Sequence, residues 1–238
     1  MTAEYFELID ATWAPAEMRE AGGWMLRRGA GGGQRVSAAS QVAEDAEIGF
    51  AEAEMAAMGQ KPLFMIRPDD GELDAALDRR GYAVKDPVAV LASTPDALEP
   101  ARAGRSVVVS DGILAVQAEI WAQGGIGPER LAVMGRAACP TRTLLGRDGD
   151  VPAATAFMGI HEGIAMLHGL EVLPAHRGKG LGKLMMAGAA RVAQEAGARE
   201  IAVLVVRDNV GASALYNSLG MGERTGYHYR TAPDPKGE

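Results

Sequence analysis

The sequence predicts an α/β protein, and three features of the chain support this prediction. Residues 166–172 are short, apolar and roughly alternating, as a buried strand is, and a glycine-rich turn and a helical pattern follow them. Residues 201–206 form a nearly continuous, mostly β-branched run, which is typical of a strand buried on both faces. The third feature is a helix–strand–helix–strand pattern that occurs twice. We therefore expect strands and helices to alternate along the chain.

The repeated pattern relates two halves of the chain. In the first half a helix ends near Gly59 and a strand covers 62–66, whereas in the second a helix ends near Gly197 and a strand covers 200–206. In both halves a further helix, closed by a glycine, leads into another strand, and the two copies lie about 138 residues apart. This spacing favours two copies of one fold. A chance likeness of two αβα segments is the alternative.

Residues 1–100 are expected to form the first domain. Its predicted elements, in chain order, are a helix around 14–20, strands over 22–28 and 34–36, a helix over 44–58, a strand over 61–67, a helix over 70–80 and a strand over 84–92. The glycine run 29–33, between the first two strands, predicts a hairpin loop. Residues 93–104 contain two prolines and mixed charge and predict a linker. We place the domain boundary between residues 100 and 101.

Residues 101–238 are expected to form the second domain. Its predicted elements, in chain order, are a strand over 106–109, helices over 113–121 and 129–136, strands over 141–146, 153–161 and 164–172, a helix from Leu181, a strand over 200–206 and a helix from Asn209. Asp148 and Gly149 lie between the first two antiparallel strands and are a hairpin signal.

The turn between the strand at 166–172 and the following helix reads Arg-Gly-Lys-Gly-Leu-Gly-Lys over residues 177–183. Glycines at alternate positions let a ligand approach the backbone closely. The first amides of a helix have no partner within the helix and lie at the positive end of its dipole. The turn is therefore suited to bind phosphate. A strand-to-helix turn without a ligand is the alternative.

Two common phosphate-binding patterns do not fit this turn. The Walker pattern requires Gly-x-x-x-x-Gly-Lys-Ser/Thr, but Arg177 stands five residues before Gly182, and Leu184 stands where a hydroxyl for magnesium is needed. The dinucleotide pattern requires Gly-x-Gly-x-x-Gly, whereas the spacing here is Gly-x-Gly-x-Gly. The pattern that remains is Arg-x-x-Gly-x-Gly, formed by Arg177, Gly180 and Gly182.

Arg-x-x-Gly-x-Gly resembles the acetyl-CoA diphosphate loop of the GNAT (Gcn5-related) N-acetyltransferase superfamily. Residues 209–221 resemble a second signature of that superfamily, Asn-x-x-Ala-x-x-Leu-Tyr-x-x-Leu-Gly-Phe, with Met221 in place of the final aromatic residue. The resemblance covers the chain from about residue 106 to the end. It implies the GNAT fold, in which helices flank a mixed central sheet with splayed parallel strands. The first half would then be a degenerate GNAT-like copy without a cofactor loop.

The resemblance also implies how acetyl-CoA is held. Backbone groups of the strand would bind the pantetheine arm, the loop amides would bind the diphosphate, and the asparagine that opens the second signature would reach the cofactor. The residues assigned in this way are Leu170, Glu171, Val172, Arg177, Gly178, Lys179, Gly180, Leu181, Gly182, Lys183 and Asn209. A solvent-facing charge is the alternative for Lys179 and Lys183, and helix N-capping is the alternative for Asn209.

Tyr216 stands where members of the superfamily carry a general acid near the sulfur. A phenol with a pKa of about 10 can donate a proton to a leaving thiolate. Helix packing, or a hydrogen bond to the cofactor alone, is the alternative for this side chain.

The predicted general base is His168, which stands at a strand position from which a histidine acts on the amine in some arylalkylamine-type relatives. Strict alternation along the strand would place His168, Leu170 and Val172 on one face and Glu171 on the other. This disfavours Glu171 as a rival base. Removal of the proton by water alone is the further alternative.

Composition restricts the partners and the compartment that we expect. The net charge is −7, which argues against nucleic-acid binding, and no apolar run approaches the roughly 20 residues of a membrane helix. The N-terminus lacks the features of a secretory signal. Cys139 is the single cysteine, and no His/carboxylate pair has metal-ligand spacing, so we expect neither a disulfide nor a metal. The sequence predicts a cytoplasmic protein, monomeric or homodimeric, that binds neither membrane nor nucleic acid.

These features together predict an acetyl-CoA-dependent N-acetyltransferase. It would transfer an acetyl group to a primary amine of a small molecule by direct attack in a ternary complex. Two alternatives are kept: an acyl-CoA-binding sensor or interaction module without turnover, and a protein N-acetyltransferase.

Overall fold

The computed structural model describes residues 2–98 and 107–233, and these residues form two compact units. Unit 1 consists of Met1–Ala14, Val90–Val205 and Asn209–Arg224, and unit 2 consists of Pro15–Ala89, Val206–Asp208 and Thr225–Glu238. Most of the predicted linker and the proposed boundary between residues 100 and 101 lie outside the described residues. No helix in the described parts of the chain is long and apolar enough to span a membrane.

The helices and strands alternate along most of the chain. The helices are α1 (Thr2–Thr12), α2 (Ile48–Ala57), α3 (Gly71–Arg79), α4 (Ala115–Gln123), α5 (Pro128–Met134), α6 (Leu181–Glu195) and α7 (Val210–Ser218). The strands are β1 (Glu17–Ala21), β2 (Trp24–Arg28), β3 (Ser40–Gln41), β4 (Leu63–Ile66), β5 (Ala83–Ser93), β6 (Val107–Ser110), β7 (Thr141–Asp148), β8 (Val151–His161), β9 (Ile164–Val172), β10 (Glu200–Val206) and β11 (Gly222–Thr231).

Unit 1 contains a mixed sheet with the strand order β10-β9-β8-β7-β6. Antiparallel pairing joins β6 to β7, β7 to β8 and β8 to β9, while β9 and β10 are parallel. The pairing of β9 with β10 runs from Ile164 and Glu200 to Leu167 and Val203, where it ends. The later residues of the two strands diverge, as predicted for splayed parallel strands.

Helices cover both faces of this sheet, and two glycines identify which helix lies on which face. A side chain at Gly159 of β8 would meet Thr12 of α1, whereas one at Gly146 of β7 would meet Met185 of α6. Gly146 lies opposite Ala154, so positions 154 and 159 of β8 face opposite sides of the sheet. Trp121 of α4, which is fully buried, packs over β9 on the α1 face.

A β-bulge in β9 changes which side chains share a face. Phe157 lies opposite His168, but Thr155 lies opposite Glu171, so β9 contains one extra residue between these pairs. Gly169 in this segment has φ +56°. His168 and Glu171 therefore face the same side of the sheet, towards α1 and α4. The alternation argument that separated them was wrong, because it assumed a regular strand.

The carbonyl oxygen of Gly169 accepts a hydrogen bond of 2.7 Å from the indole nitrogen of Trp121. A carbonyl at a bulge lacks its regular ladder partner, and the indole N–H supplies one. The bulge is thus held by a buried side chain from α4 as well as by the glycine.

Unit 2 combines a three-stranded antiparallel sheet, in the order β1-β2-β3, with strands β4, β11 and β5, of which β11 lies in the middle. Its core includes Trp24, Met55, Phe64, Leu77 and Tyr82. In this unit the C-terminal strand β11 pairs antiparallel with β4.

Arg230 of β11 fixes this strand against α3. Its guanidinium donates hydrogen bonds to Asp74, at 2.7 Å, and to the carbonyl of Tyr82, also at 2.7 Å. The hydrogen bond from Arg230 holds the pKa of Asp74 below its usual value.

The N-terminal elements differ from the prediction. The helix expected around 14–20 is absent; α1 ends at Thr12, and Glu17–Ala21 is strand β1. Gly22 and Gly23, which were predicted to begin the strand, form the hairpin turn instead, because both have positive φ, as a type I′ turn requires. The hairpin predicted over 29–33 was therefore wrong, and Gln34–Val36 forms a 3₁₀ turn instead of a strand.

The predicted repeat is visible in the way its helices end. α2 and α6 are each followed by a glycine with φ near +70°, Gly59 and Gly197, and the next amide bonds to a carbonyl five residues earlier. Gly81 and Gly220 close α3 and α7 in the same way. All four ends are Schellman motifs, so the two halves share helix-terminating geometry as well as element order.

We expect Gly169→Ala to lower the free energy of unfolding by about 1–3 kcal/mol. An L-residue is strained in the left-handed region, and the added methyl would lie 3.2 Å from the Trp121 indole nitrogen. Gly197→Ala is the control, since Gly197 has φ +71° but open space around it. Thermal unfolding and tryptophan fluorescence should both change in Gly169→Ala. In Gly197→Ala only thermal unfolding should change. Unchanged fluorescence in both variants would contradict this description of the bulge.

Candidate active site

A cleft of about 700 Å³ opens in unit 1 where β9 is followed by the glycine turn. It is bounded by the end of β9, the start of α6, and α7. The residues that line it are Leu170, Glu171, Val172, His176, Arg177, Gly178, Gly180, Leu181, Gly182, Lys183, Asn209, Gly211, Ala212, Ala214, Leu215, Tyr216 and Ser218. Of the predicted cofactor residues, all but Lys179 are in this set, and so is Tyr216.

The glycine turn presents backbone amides to the cleft. Gly178 and Gly180 have φ +72° and +82°, a conformation that favours glycine. Gly180 is the N-cap of the 15-residue helix α6, and its carbonyl accepts the first helical bond, from Leu184 N–H. The amides of Leu181, Gly182 and Lys183 thus have no acceptor within the helix. A side chain at Gly178 would meet no atom within 4 Å, so this part of the backbone is open to a ligand.

Gly182 has a second role that the sequence did not indicate. A Cβ atom at this position would lie 2.9 Å from Leu215 of α7. The glycine therefore allows α6 and α7 to pack closely at the wall of the cleft.

Three cations of the turn differ in their partners. Arg177 donates to Glu171, at 2.8 Å, and to the carbonyl oxygen of Val172, at 2.9 Å. The Lys179 ammonium lies 3.7 Å from the Asp148 carboxylate. Within the described residues Lys183 has no ion pair, so its ammonium can pair with an anion in the cleft.

Asp148, at the end of β7, is a functional candidate that the sequence analysis did not identify. Its carboxylate contacts His176 Nδ1 at 2.9 Å as well as Lys179. The turn is thereby tied to the β7–β8 hairpin. The sequence held a signal of this only in the predicted hairpin, since the contact joins residues 28 positions apart.

The end of β9 meets the cleft in two ways. Leu173 N–H bonds to Ala153 on β8, and Glu171 lies opposite Thr155, so the backbone of both residues faces β8. The carbonyl of Val172, between them, faces away from β8 and accepts the bond from Arg177. Val172 thus presents its backbone to the cleft, whereas Glu171 presents its carboxylate.

Tyr216 lines the cleft from α7 with a largely buried side chain, which is 6% exposed. Burial raises the pKa of its phenol to about 12. The phenol is therefore protonated at any physiological pH and can act as a donor.

Asn209 caps α7, as its alternative interpretation predicted. Its side-chain oxygen accepts a hydrogen bond of 3.0 Å from Ala212 N–H. The residue also lines the cleft, so capping and cofactor contact are compatible.

His168 is buried on the α1 side of the sheet and is not among the residues that line the cleft. Its Nε2 lies 2.8 Å from the hydroxyl of Thr12, and that hydroxyl donates its proton to the carbonyl of Leu8. The hydroxyl must then accept from Nε2–H, which leaves Nδ1 with the lone pair in the neutral ring. The Trp13 ring packs against the imidazole, with 5.0 Å between ring centroids and 34° between the ring planes.

Metal binding is a separate question. Within the described residues no group of three or more His, Cys, Asp or Glu could hold a metal ion.

A glycine turn that opens a helix beside two diverging parallel strands is suited to hold a phosphate ester with an extended arm. The cleft, the free amides and the unpaired ammonium of Lys183 fit the diphosphate and pantetheine of coenzyme A. Residues 120–221 match the model of the acetyltransferase (GNAT) family.

One curated protein with a similar sequence is the streptothricin acetyltransferase of Streptomyces lavendulae. It is 34% identical over 82 residues, which are 34% of this chain and 43% of that protein. The chain thus matches less than half the length of this relative.

Solved structures of GNAT proteins resemble the whole chain. A GCN5-related N-acetyltransferase from Kribbella flavida has a TM-score of 0.74 at 20% identity, over 99% of this chain and 96% of that one. A tandem GNAT protein from the clavulanic acid biosynthesis pathway has a TM-score of 0.63 at 15% identity, over 98% and 88%. The predicted GNAT fold, with a GNAT-like half before the family domain, is confirmed.

Proposed function

We propose that the protein is an acetyl-CoA-dependent N-acetyltransferase that acts on a primary amine of a small molecule. The observation that supports this most is the cleft itself, in which a glycine turn at a helix start, diverging strands and a buried tyrosine meet within the range that matches the GNAT family. We place this catalytic domain at residues 101–238 and a degenerate GNAT-like domain at 1–100. A curated relative that acetylates streptothricin supports a small amine as acceptor.

The turn and the strand hold the cosubstrate in this proposal. The amides of 178–183 and the ammonium of Lys183 bind the diphosphate, and the backbone of Leu170 and Val172 binds the pantetheine arm. Acetyl-CoA supplies an acyl group that is activated as a thioester. Both substrates bind before reaction, and the amine attacks the thioester carbonyl directly, so orientation within one cleft supplies much of the rate.

Tyr216 is the proposed acid. A thiolate departs more easily when a proton donor lies beside it, and a buried phenol with a pKa of about 12 keeps its proton until that moment. Because this pKa is raised, ionisation of Tyr216 should not reduce the rate below about pH 10.

We expect Tyr216→Phe to lower kcat about 10²-fold or more, with the dissociation constant for acetyl-CoA unchanged, because only proton donation is lost. Tyr5→Phe is the matched control. The Tyr5 hydroxyl donates to Glu200 at 2.7 Å and burial also raises its pKa to about 12, but Tyr5 does not line the cleft. It should lose stability by about 1–3 kcal/mol and keep its kcat. Release of the coenzyme A thiol, followed with a panel of primary amines, measures kcat of both variants.

Equal kcat in Tyr216→Phe and the native protein would show that the acid assignment is wrong. Binding of acetyl-CoA without turnover on any amine would support the sensor instead. Turnover confined to lysine side chains of proteins would support the protein acetyltransferase.

His168 is the proposed general base, and its Nδ1 would accept the proton that the amine loses. Its Nε2–H stays bonded to Thr12 in both protonation states, so the ring keeps its orientation when it gains a proton. Because His168 does not line the cleft, the proton must cross at least one intervening group.

Glutamine at this position keeps an N–H donor for Thr12 but has no basic nitrogen. We expect His168→Gln to lower kcat about 10²-fold at unchanged affinity for acetyl-CoA. His161→Gln, at the far end of β8, is the control and should be neutral. If His168→Gln retains full kcat in steady-state assays, the proton leaves by water or by another group.

A further inference from the structure

Glu171 and Arg177 form an ion pair inside the cleft, and the proposed function does not yet use it. Both residues line the cleft, and their contact is 2.8 Å. The Glu171 side chain is 18% exposed, whereas that of Arg177 is 60% exposed. In the described residues Arg177 is the one cation that pairs with this carboxylate.

Arg177 belongs to the turn that would bind a diphosphate, so two anions compete for one guanidinium. An ion pair with a partner this exposed is weak in water. A diphosphate carries more charge than a carboxylate, and guanidinium–phosphate contacts are often bidentate. The arginine would therefore move from Glu171 to the diphosphate when the cosubstrate binds.

The carboxylate that remains would be poorly solvated. Gly124, in the glycine loop after α4, lies directly against it, since a Cβ atom there would be 2.5 Å from Glu171 Oε2. A partly buried carboxylate without a cation is unfavourable, so the site would attract a new positive charge. Alkyl amines are protonated at neutral pH and supply that charge.

We propose that Glu171 binds the ammonium group of the acceptor, and that Arg177 covers Glu171 until the diphosphate of the cosubstrate draws it away. The inference rests on the proposed function and adds two features to it. The acceptor is a cationic amine, and it binds after acetyl-CoA with positive coupling between the two ligands.

The first test is calorimetric titration with coenzyme A, which cannot turn over. Glu171→Gln removes the carboxylate that competes with the diphosphate for Arg177. This variant should therefore bind coenzyme A about two- to fivefold more tightly than the native protein. Glu195→Gln is the matched control, since it removes the same charge from the Arg191–Glu195 pair on α6, outside the cleft. Its affinity for coenzyme A should stay native.

The second test measures acceptor kinetics at saturating acetyl-CoA, with putrescine, tyramine and the best acceptor of a primary-amine panel. Glu171→Gln should raise the KM for the amine about tenfold or more, because a charge-assisted contact is lost. Glu195→Gln should leave this KM unchanged. Tighter coenzyme A binding together with a higher amine KM is a combination that general damage to the cleft would not produce.

The outcomes separate the inference from the function on which it rests. If the native protein does not bind coenzyme A, or binds it and acetylates no amine, both are overturned. If the native protein is active but Glu171→Gln binds coenzyme A equally or more weakly, the inference is wrong and the function stands. An unchanged amine KM in Glu171→Gln also overturns the inference.

Discussion

The hydrogen bond from the Trp121 indole to the carbonyl of Gly169 is the contact on which the candidate site depends. It stabilises a bulge in β9 at the place where β9 stops pairing with β10. A regular strand would continue the ladder and fill the space between the two strands with hydrogen bonds. The bulge instead leaves the end of β9 free on one side, so that the Val172 carbonyl and the Glu171 side chain meet the cleft.

The bulge also determines which side chains act together. The extra residue places His168 and Glu171 on the same face, where Thr12 orders the first and Gly124 lies against the second. Both therefore lie on the side of the sheet that carries α1 and α4. The α6 face carries Leu167 and Val172 in this segment of β9, opposite Met158 and Ala154.

Local sequence predicted the parts of the site that depend on short-range chemistry. The turn at 177–183, the helix it opens and the cap at Asn209 all follow from glycine, the helix terminus and a capping side chain. The repeat was also detectable, because each helix in it ends in a glycine that must adopt positive φ. These signals need no knowledge of distant residues.

The parts that were missed depend on contacts between distant residues. A period-two pattern cannot show a bulge, and so it placed Glu171 on the wrong face. The links of Asp148 to His176 and of Trp121 to Gly169 join residues far apart in sequence. Helix α1 is different, since Tyr5, Leu8, Ile9 and Thr12 are buried at helical spacing and the signal was present. The proline at 15 indicated the start of a helix, which drew the prediction to the wrong segment.

The central claim is that the amides of the turn bind the diphosphate of coenzyme A. Amide chemical shifts of isotope-labelled protein, followed by NMR during titration with coenzyme A, test it most directly. The account predicts that the largest saturable shifts belong to Gly178, Gly180, Leu181, Gly182 and Lys183. Saturable shifts that leave these five amides unmoved, or the absence of any saturable shift, would contradict it.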